Sequence, residues 1–304
     1  MKTKHWLIFI LLGAIWSSSF MWIKIAVQEI GPMTLVAFRA SFGLLFGVVV
    51  IFIGRASLPR TFKAWGPLLL LGITNVAIPF FLISWGEQSI DSAVASVLDA
   101  TVPLFTILIA HYMLDDDKIT LPKMLGLLIG FAGVVVLMSK DIFNASTSSL
   151  LGQAAVILAS VFYAVNSVYI RKTTEDIPGI VRSTGPLISA SAVMWLSTFL
   201  FESPVRMPQL GITWTALLWL GIFGSGLAFL MAYYLIHEIG PTRTTMVTYL
   251  FPLGGVLLGV VFLEEQLTWQ LITGAILIVL SLIVANWVPK RQGVHQQQRV
   301  TSTR

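Results

Sequence analysis

The chain is a series of long apolar runs separated by short polar connections. Runs long enough to cross a bilayer, about 20 residues each, fall near residues 6–27, 33–54, 65–86, 90–112 and 121–138. A second set falls near 151–170, 180–201, 212–235, 242–262 and 269–288. Each run is continuously apolar rather than alternating residue by residue, which predicts helices and not the strands of a barrel. The pattern predicts an all-α integral membrane protein with ten transmembrane helices.

The pattern also repeats. Moving the stretch 214–286 back by 149 positions places Trp214 on Trp65, Leu220-Gly221-Ile222 on Leu71-Gly72-Ile73, Pro252 on Pro103, and Leu263-Glu264-Glu265 on Leu114-Asp115-Asp116. After a slip of one residue Gly274 falls on Gly126. Shared spacing of prolines, glycines and an acidic pair predicts duplication, with residues 1–140 as the first repeat and 150–288 as the second. Five spans per repeat is an odd number, so the second copy is expected to cross the membrane in the opposite sense to the first, the build of many secondary transporters. Residues 289–304 are polar, Gln-rich and basic, which predicts a disordered cytoplasmic tail.

Composition agrees with this reading. Of 304 residues, 56% are hydrophobic and 11% charged, less than half the charge of an ordinary soluble domain. The absence of cysteine excludes disulfides, thiolate metal sites and a cysteine nucleophile. The net charge of +5 suggests nucleic acid as a partner only until its distribution is considered. With the N-terminus inside, Lys24, Lys140 and Arg206 lie outside and Arg39 lies within a span, while every other Lys and Arg lies on the inner side. That is the positive-inside bias of a membrane protein with both termini cytoplasmic, and no nucleic-acid partner is expected. The N-terminal run is read as a retained first helix, since no small-residue cleavage site precedes the next span.

The segment GAIWSSSFMWIKIA, followed by Pro32 and Arg39, resembles the entry to the first repeat of the EamA family of the drug/metabolite transporter superfamily. The segment LGIFGSGLAFLMAYYLIHEIGPTRTTMVTYLFPLGGVLLGVVFLEEQLTWQLITGAILI is similar to that family's second repeat, with Pro252, Gly259 and Glu264 at its signature positions. The resemblance spans about residues 6–288. It implies ten helices in two inverted five-helix repeats and movement of a small organic solute, often outward, through a central cavity. It also implies a bacterial plasma (inner) membrane setting and does not fix the substrate. The family's glutamate after the fourth helix is matched by Glu264 in the second copy, whereas Asp115 or Asp116 stands there in the first.

Inside a bilayer the polar residues carry the information, because a charge at a helix centre costs about 2.5–3.5 kcal/mol on insertion scales. At about 1.5 Å per residue, Arg39 lies about 9 Å, Asp99 about 14 Å and Asn75 about 16 Å from the outer helix ends. Asp99 is the candidate for proton coupling; with Arg39 it either holds the charged ends of a zwitterion or forms a structural ion pair, and Arg39 has the further option of snorkelling to headgroups. Asn75 either orients a solute or bonds between helices. Trp16, away from the interfacial belt where Trp is usual, is expected as an apolar cavity wall, and one or two of the serines after it, Ser17 first, as lining. Tyr163, Asn166 and Tyr169 form a stripe of spacing three on the sixth helix and are expected to line the inner half of the cavity. Pro103 and Pro252 are either paired gating hinges or static kinks. Glu87 is expected in a solvated outer loop, and Glu264 with Glu265 as a helix-end charge that caps the next helix.

The function expected from these readings is secondary transport, without ATP, of a small neutral or zwitterionic solute such as an amino acid or aromatic metabolite, by alternating access. No GxxxxGK[ST] is present to bind ATP. The four histidines lie at or beyond helix ends, and neither GxSxG nor HExxH occurs, so an intramembrane enzyme has no site to work with and no cofactor is expected. A channel is the remaining alternative of a different class. A phosphate exchanger of the same fold would need several deep cations, and Arg39 alone is offered.

Overall fold

The computed structural model describes residues 3–59, 61–114, 118–143, 146–174, 177–239, 244 and 246–285. Asp115, Asp116 and the predicted tail, 289–304, lie outside the described residues. The described chain is helical, with no strand among its residues. The helices are α1 (Thr3–Ala26), α2 (Pro32–Ile53), α3 (Lys63–Gly86), α4 (Ser92–Met113), α5 (Leu121–Ile142), α6 (Thr147–Ile170), α7 (Gly179–Phe201), α8 (Gly211–Ile236), α9 (Met246–Leu263) and α10 (Trp269–Ala285). Nine of them, α1 to α9, are long and apolar enough to cross a membrane. The apolar helix α10 has 17 described residues, because the end of the run predicted over 269–288 falls outside the described part.

The main helix contacts are not between chain neighbours. α2 packs on α7 and α8, α3 on α6 and α7, α1 on α8 and α9, α4 on α6 and α9, and α5 on α10. Every one of these pairs joins residues 3–143 to residues 147–285, so the main core lies between the two halves of the chain. Lipid tails supply no hydrophobic drive for helix association, and close approach has to come from small residues. At the α5–α10 seam a Cβ on Gly126 would sit 2.6 Å from Ala285 Cβ, and one on Gly274 would sit 3.0 Å from the Gly133 carbonyl. Large apolar side chains such as Leu45 and Phe52 of α2, Val135 of α5, Phe199 of α7 and Leu257 of α9 point outward and are exposed. In a membrane that belt faces lipid.

Four helices are irregular, and the irregularities come in matched pairs. A π-helical segment interrupts α3 at Gly72–Ala77 and α8 at Trp219–Leu227, positions related by the same 149-residue shift seen in the sequence. α4 breaks at Ala100 and Thr101, just before Pro103, and α9 opens with a 3-10 turn, Met246–Tyr249, just before Pro252. Proline has no N–H to give the carbonyl four residues back. Pro103 therefore gives no hydrogen bond to the carbonyl of Asp99, nor Pro252 to that of Thr248.

Candidate functional site

At the end of the bundle away from Thr3, termed the distal end, three glutamates cap helices of the opposite half. Glu202, after α7, accepts the N–H groups of Met33 and Thr34 at 2.8 Å each and the Thr34 hydroxyl at 2.7 Å, at the first turn of α2. Glu265, after α9, accepts the N–H groups of Ser92 and Ala93 at 2.7 and 2.9 Å, at the first turn of α4. Glu29, after α1, accepts the N–H groups of Gln209 and Leu210 just before α8. The first N–H groups of a helix have no partner within it and carry the positive end of its dipole, so a carboxylate is their natural acceptor. All three caps cross between the halves.

The expectation for Glu264 and Glu265 is corrected here. Glu264 is exposed, in a left-handed conformation (φ 56°) that ends α9. The cap is made by its neighbour Glu265, and on α4 rather than on the helix that follows.

Glu87 is also corrected. It is no solvated loop residue but is 0% exposed, because the turn after α3 folds under the end of α1. There the Lys24 ammonium is held by the carbonyls of Glu87 (2.8 Å) and Ile90 (2.7 Å). Neither carboxyl oxygen of Glu87 has a hydrogen-bond partner among the described residues.

Deeper in the bundle are Arg39 and Asp99, 4% and 6% exposed. Arg39 Nε donates to the Ser225 hydroxyl at 3.0 Å, and that hydroxyl in turn donates to the Leu220 carbonyl at 3.1 Å across the widened π turn of α8. The guanidinium lies 3.6 Å from the centre of the Phe80 ring, a cation–π contact in a dry setting. Arg39 thus points inward and does not snorkel. Asp99, the last residue of α4 before its break, accepts a long hydrogen bond, 3.4 Å, from Ser160 of α6. Arg39, Asp99 and Tyr163 lie within electrostatic reach of one another, yet no ion pair within 4.0 Å joins Arg39 to Asp99 among the described residues. A buried guanidinium and a buried carboxyl therefore lie near each other without a direct ion pair.

The other sequence candidates divide into those near this region and those committed to packing. Asn75, half-buried in the π segment of α3, makes no side-chain hydrogen bond among the described residues. Asn166 is fully engaged: its amide donates to the carbonyls of Thr74 (2.9 Å) and Phe162 (2.7 Å), and its oxygen accepts from the Thr74 hydroxyl (2.8 Å). Trp16 donates to the Gly224 carbonyl at 3.2 Å and meets Phe229 and Phe251 edge-on. In both cases a side-chain N–H from one half satisfies a carbonyl in the π segment of the other half, where the i to i−4 ladder is disturbed. Ser17 donates back to Ala14 and packs its Cβ where a side chain on Gly254 would stand. Tyr169 is half-buried on α6, two turns of the stripe away from Tyr163.

Sequence reasoning missed Ser225, Phe80, Ser160 and the caps of Glu29 and Glu202. Ser225 carried a weak signal, standing between Gly224 and Gly226 in an otherwise apolar run. The others had none, since each acts on a residue far away in the chain.

A bundle of membrane-crossing helices with a charged site buried between its halves defines a multi-pass membrane protein built around an internal polar region. The chain matches the model of the EamA-like transporter family twice, at residues 4–139 and 150–287; it belongs to that family and is a membrane transporter. It is 25% identical over 287 residues to the uncharacterized transporter YoaV of Bacillus subtilis, covering 92% of this chain and 96% of that one. It is 28% identical over 254 residues to the uncharacterized inner membrane transporter YedA of Escherichia coli, covering 82% and 79%. A crystal structure with 22% sequence identity matches with a TM-score of 0.71 over 96% of this chain and all of the other, a likeness of fold.

Proposed function

We propose that the chain is a secondary transporter, working as an exporter, for a small neutral or zwitterionic organic solute such as an amino acid or aromatic metabolite. In this reading residues 1–140 and 150–288 are two inverted five-helix repeats, both termini are cytoplasmic, and the distal end faces outward. The observation that carries the reading is the placement of Arg39 and Asp99. They are a base and an acid, both buried and near each other, yet not paired. Removing charges from water costs several kcal/mol per ion unless they are paired, and a solute bearing a carboxylate and an ammonium offsets that cost at both residues at once. Tyr163 supplies a polar group beside them, Asn75 offers an unengaged amide from the π segment of α3, and Trp16 with Phe251 supplies an apolar wall.

Alternating access follows if the halves rock against each other. The support is that the main helix contacts and all three glutamate caps run between halves. Pro103 and Pro252, each beside a helix irregularity at the same place in its repeat, are suited to take up the bend. A phosphate dianion is disfavoured as cargo, because the site offers one deep guanidinium and a carboxylate beside it.

Counterflow in proteoliposomes tests the reading. Vesicles preloaded with a panel of neutral amino acids and aromatic metabolites are expected to accumulate trace labelled solute for at least one member, saturably and without ATP. Absence of saturable flux across the whole panel, or saturable flux only when sugar phosphates are added to it, overturns it.

A further inference from the structure

The proposed site leaves one buried ionisable group unused. Glu87 sits at the distal end with its carboxyl sealed from solvent and both oxygens lacking donors. Its charged surroundings come from four elements: Lys24 on α1, Arg39 on α2, Asp99 on α4 and Glu265 after α9. Lys24 gives two of its three N–H donors to main-chain carbonyls and none to the Glu87 carboxyl. The three caps that close the distal end, by contrast, are carboxylates that each accept two main-chain N–H groups, with Oε2 of Glu29 alone lacking a partner among the described residues. Of the five glutamates at this end, three accept helix N–H groups and Glu264 is exposed, which leaves Glu87 as the one whose surroundings favour the neutral form.

We propose that Glu87 is a proton-binding site that gates the distal end: the closed arrangement holds it protonated, and its loss of that proton accompanies opening. Closed, the side chain has neither water nor donors to stabilise a carboxylate. Open, water reaches the carboxyl, and the proton passes from the carboxyl oxygen to the external medium. Reclosing takes one proton back. Burial raises the carboxyl of Glu87 well above the ordinary carboxylate range in the closed state, against the pull of Lys24. With the closed-state value above the open-state value, closure is most favoured below the open-state value. It weakens as pH rises between the two and levels off above the higher. One linked proton changes the closed-to-open ratio by up to about tenfold per pH unit in that window. The outward placement of this end rests on the proposed function; the proton linkage does not.

The absence of cysteine makes a thiol reporter unambiguous. Ser92 is 0% exposed beneath the Glu265 cap, and Ser92→Cys keeps the N–H that Glu265 binds. The full chain in lipid nanodiscs is labelled with a membrane-impermeant maleimide, and the rate is divided by that of Gln28→Cys, an exposed site, at each pH. The normalised rate is expected to rise at least fivefold between about pH 5.5 and about pH 8.5. With Glu87→Gln added it is expected to be low and flat, and with Glu87→Asp it is expected to rise again. If Glu87→Gln does not fold, Glu87→Leu serves as the neutral form. A flat profile with Glu87 present, or the same rise without it, overturns the proposal. Nanodiscs expose both faces and need no solute, so failure here is distinct from failure of counterflow. Labelling of intact cells from outside then tests the orientation separately.

Discussion

Arg39→Met is expected to lower counterflow at least about a hundredfold while leaving the thermal midpoint unchanged or raised. Transport is lost because a solute carboxylate bound to a desolvated guanidinium is held by charge-assisted hydrogen bonds of about 1.5–3 kcal/mol each, and two such bonds amount to two or more orders of magnitude. Stability is kept because Arg39 has a single side-chain hydrogen bond, to Ser225, and no ion pair among the described residues. Replacing an uncompensated buried charge by an apolar side chain of similar size is often neutral or stabilising. Arg39→Lys keeps the charge but loses the planar contact with Phe80 and is expected to retain a small part of the flux. A fall in midpoint together with the loss of flux would make Arg39 a structural tie and contradict the assignment.

The second large effect is expected at the distal end. Glu202→Ala removes three hydrogen bonds from a charged acceptor to the first turn of α2, and the N-terminal end of that helix loses its favourable anion. The expected cost is about 2–4 kcal/mol, seen as a lower thermal midpoint and faster labelling of Ser92→Cys. Glu202→Gln retains an oxygen acceptor and is expected to lose less. Gly31→Ala gives an independent route to the same result, because a Cβ there collides with the Glu202 carboxylate. An unchanged labelling rate in Glu202→Ala would mean that the cap does not help hold the distal end shut.

What could be read from the sequence, and what could not, follows from the range of the interactions. The helices were legible because each is a local apolar run, and their observed bounds follow the predicted ones closely, as in 33–54 against Pro32–Ile53. Arg39 and Asp99 stood out because charge within an apolar run has no cheap explanation. The π segments were invisible to hydropathy, since one extra residue in a turn leaves an all-apolar run all-apolar. Their only trace is the repeated Leu-Gly-Ile at residues 71 and 220. The caps were illegible because Glu29, Glu202 and Glu265 bind residues 168 to 181 positions away. For the same reason Glu87 passed as loop: its burial is imposed by α1, not by its own neighbours. Asn166 is buried, and its amide is taken up by Thr74 and Phe162, which the spacing of the stripe did not reveal.

The central claim is that transport requires the two halves to move apart at the distal end. Gln28 and Gln209 are exposed there, one on each half, beside the Glu29 cap. In the double variant Gln28→Cys, Gln209→Cys, a short thiol-specific cross-linker that joins the two residues is expected to abolish counterflow, and cleavage of the linker is expected to restore it. Full counterflow by the fully cross-linked protein would contradict alternating access between the halves.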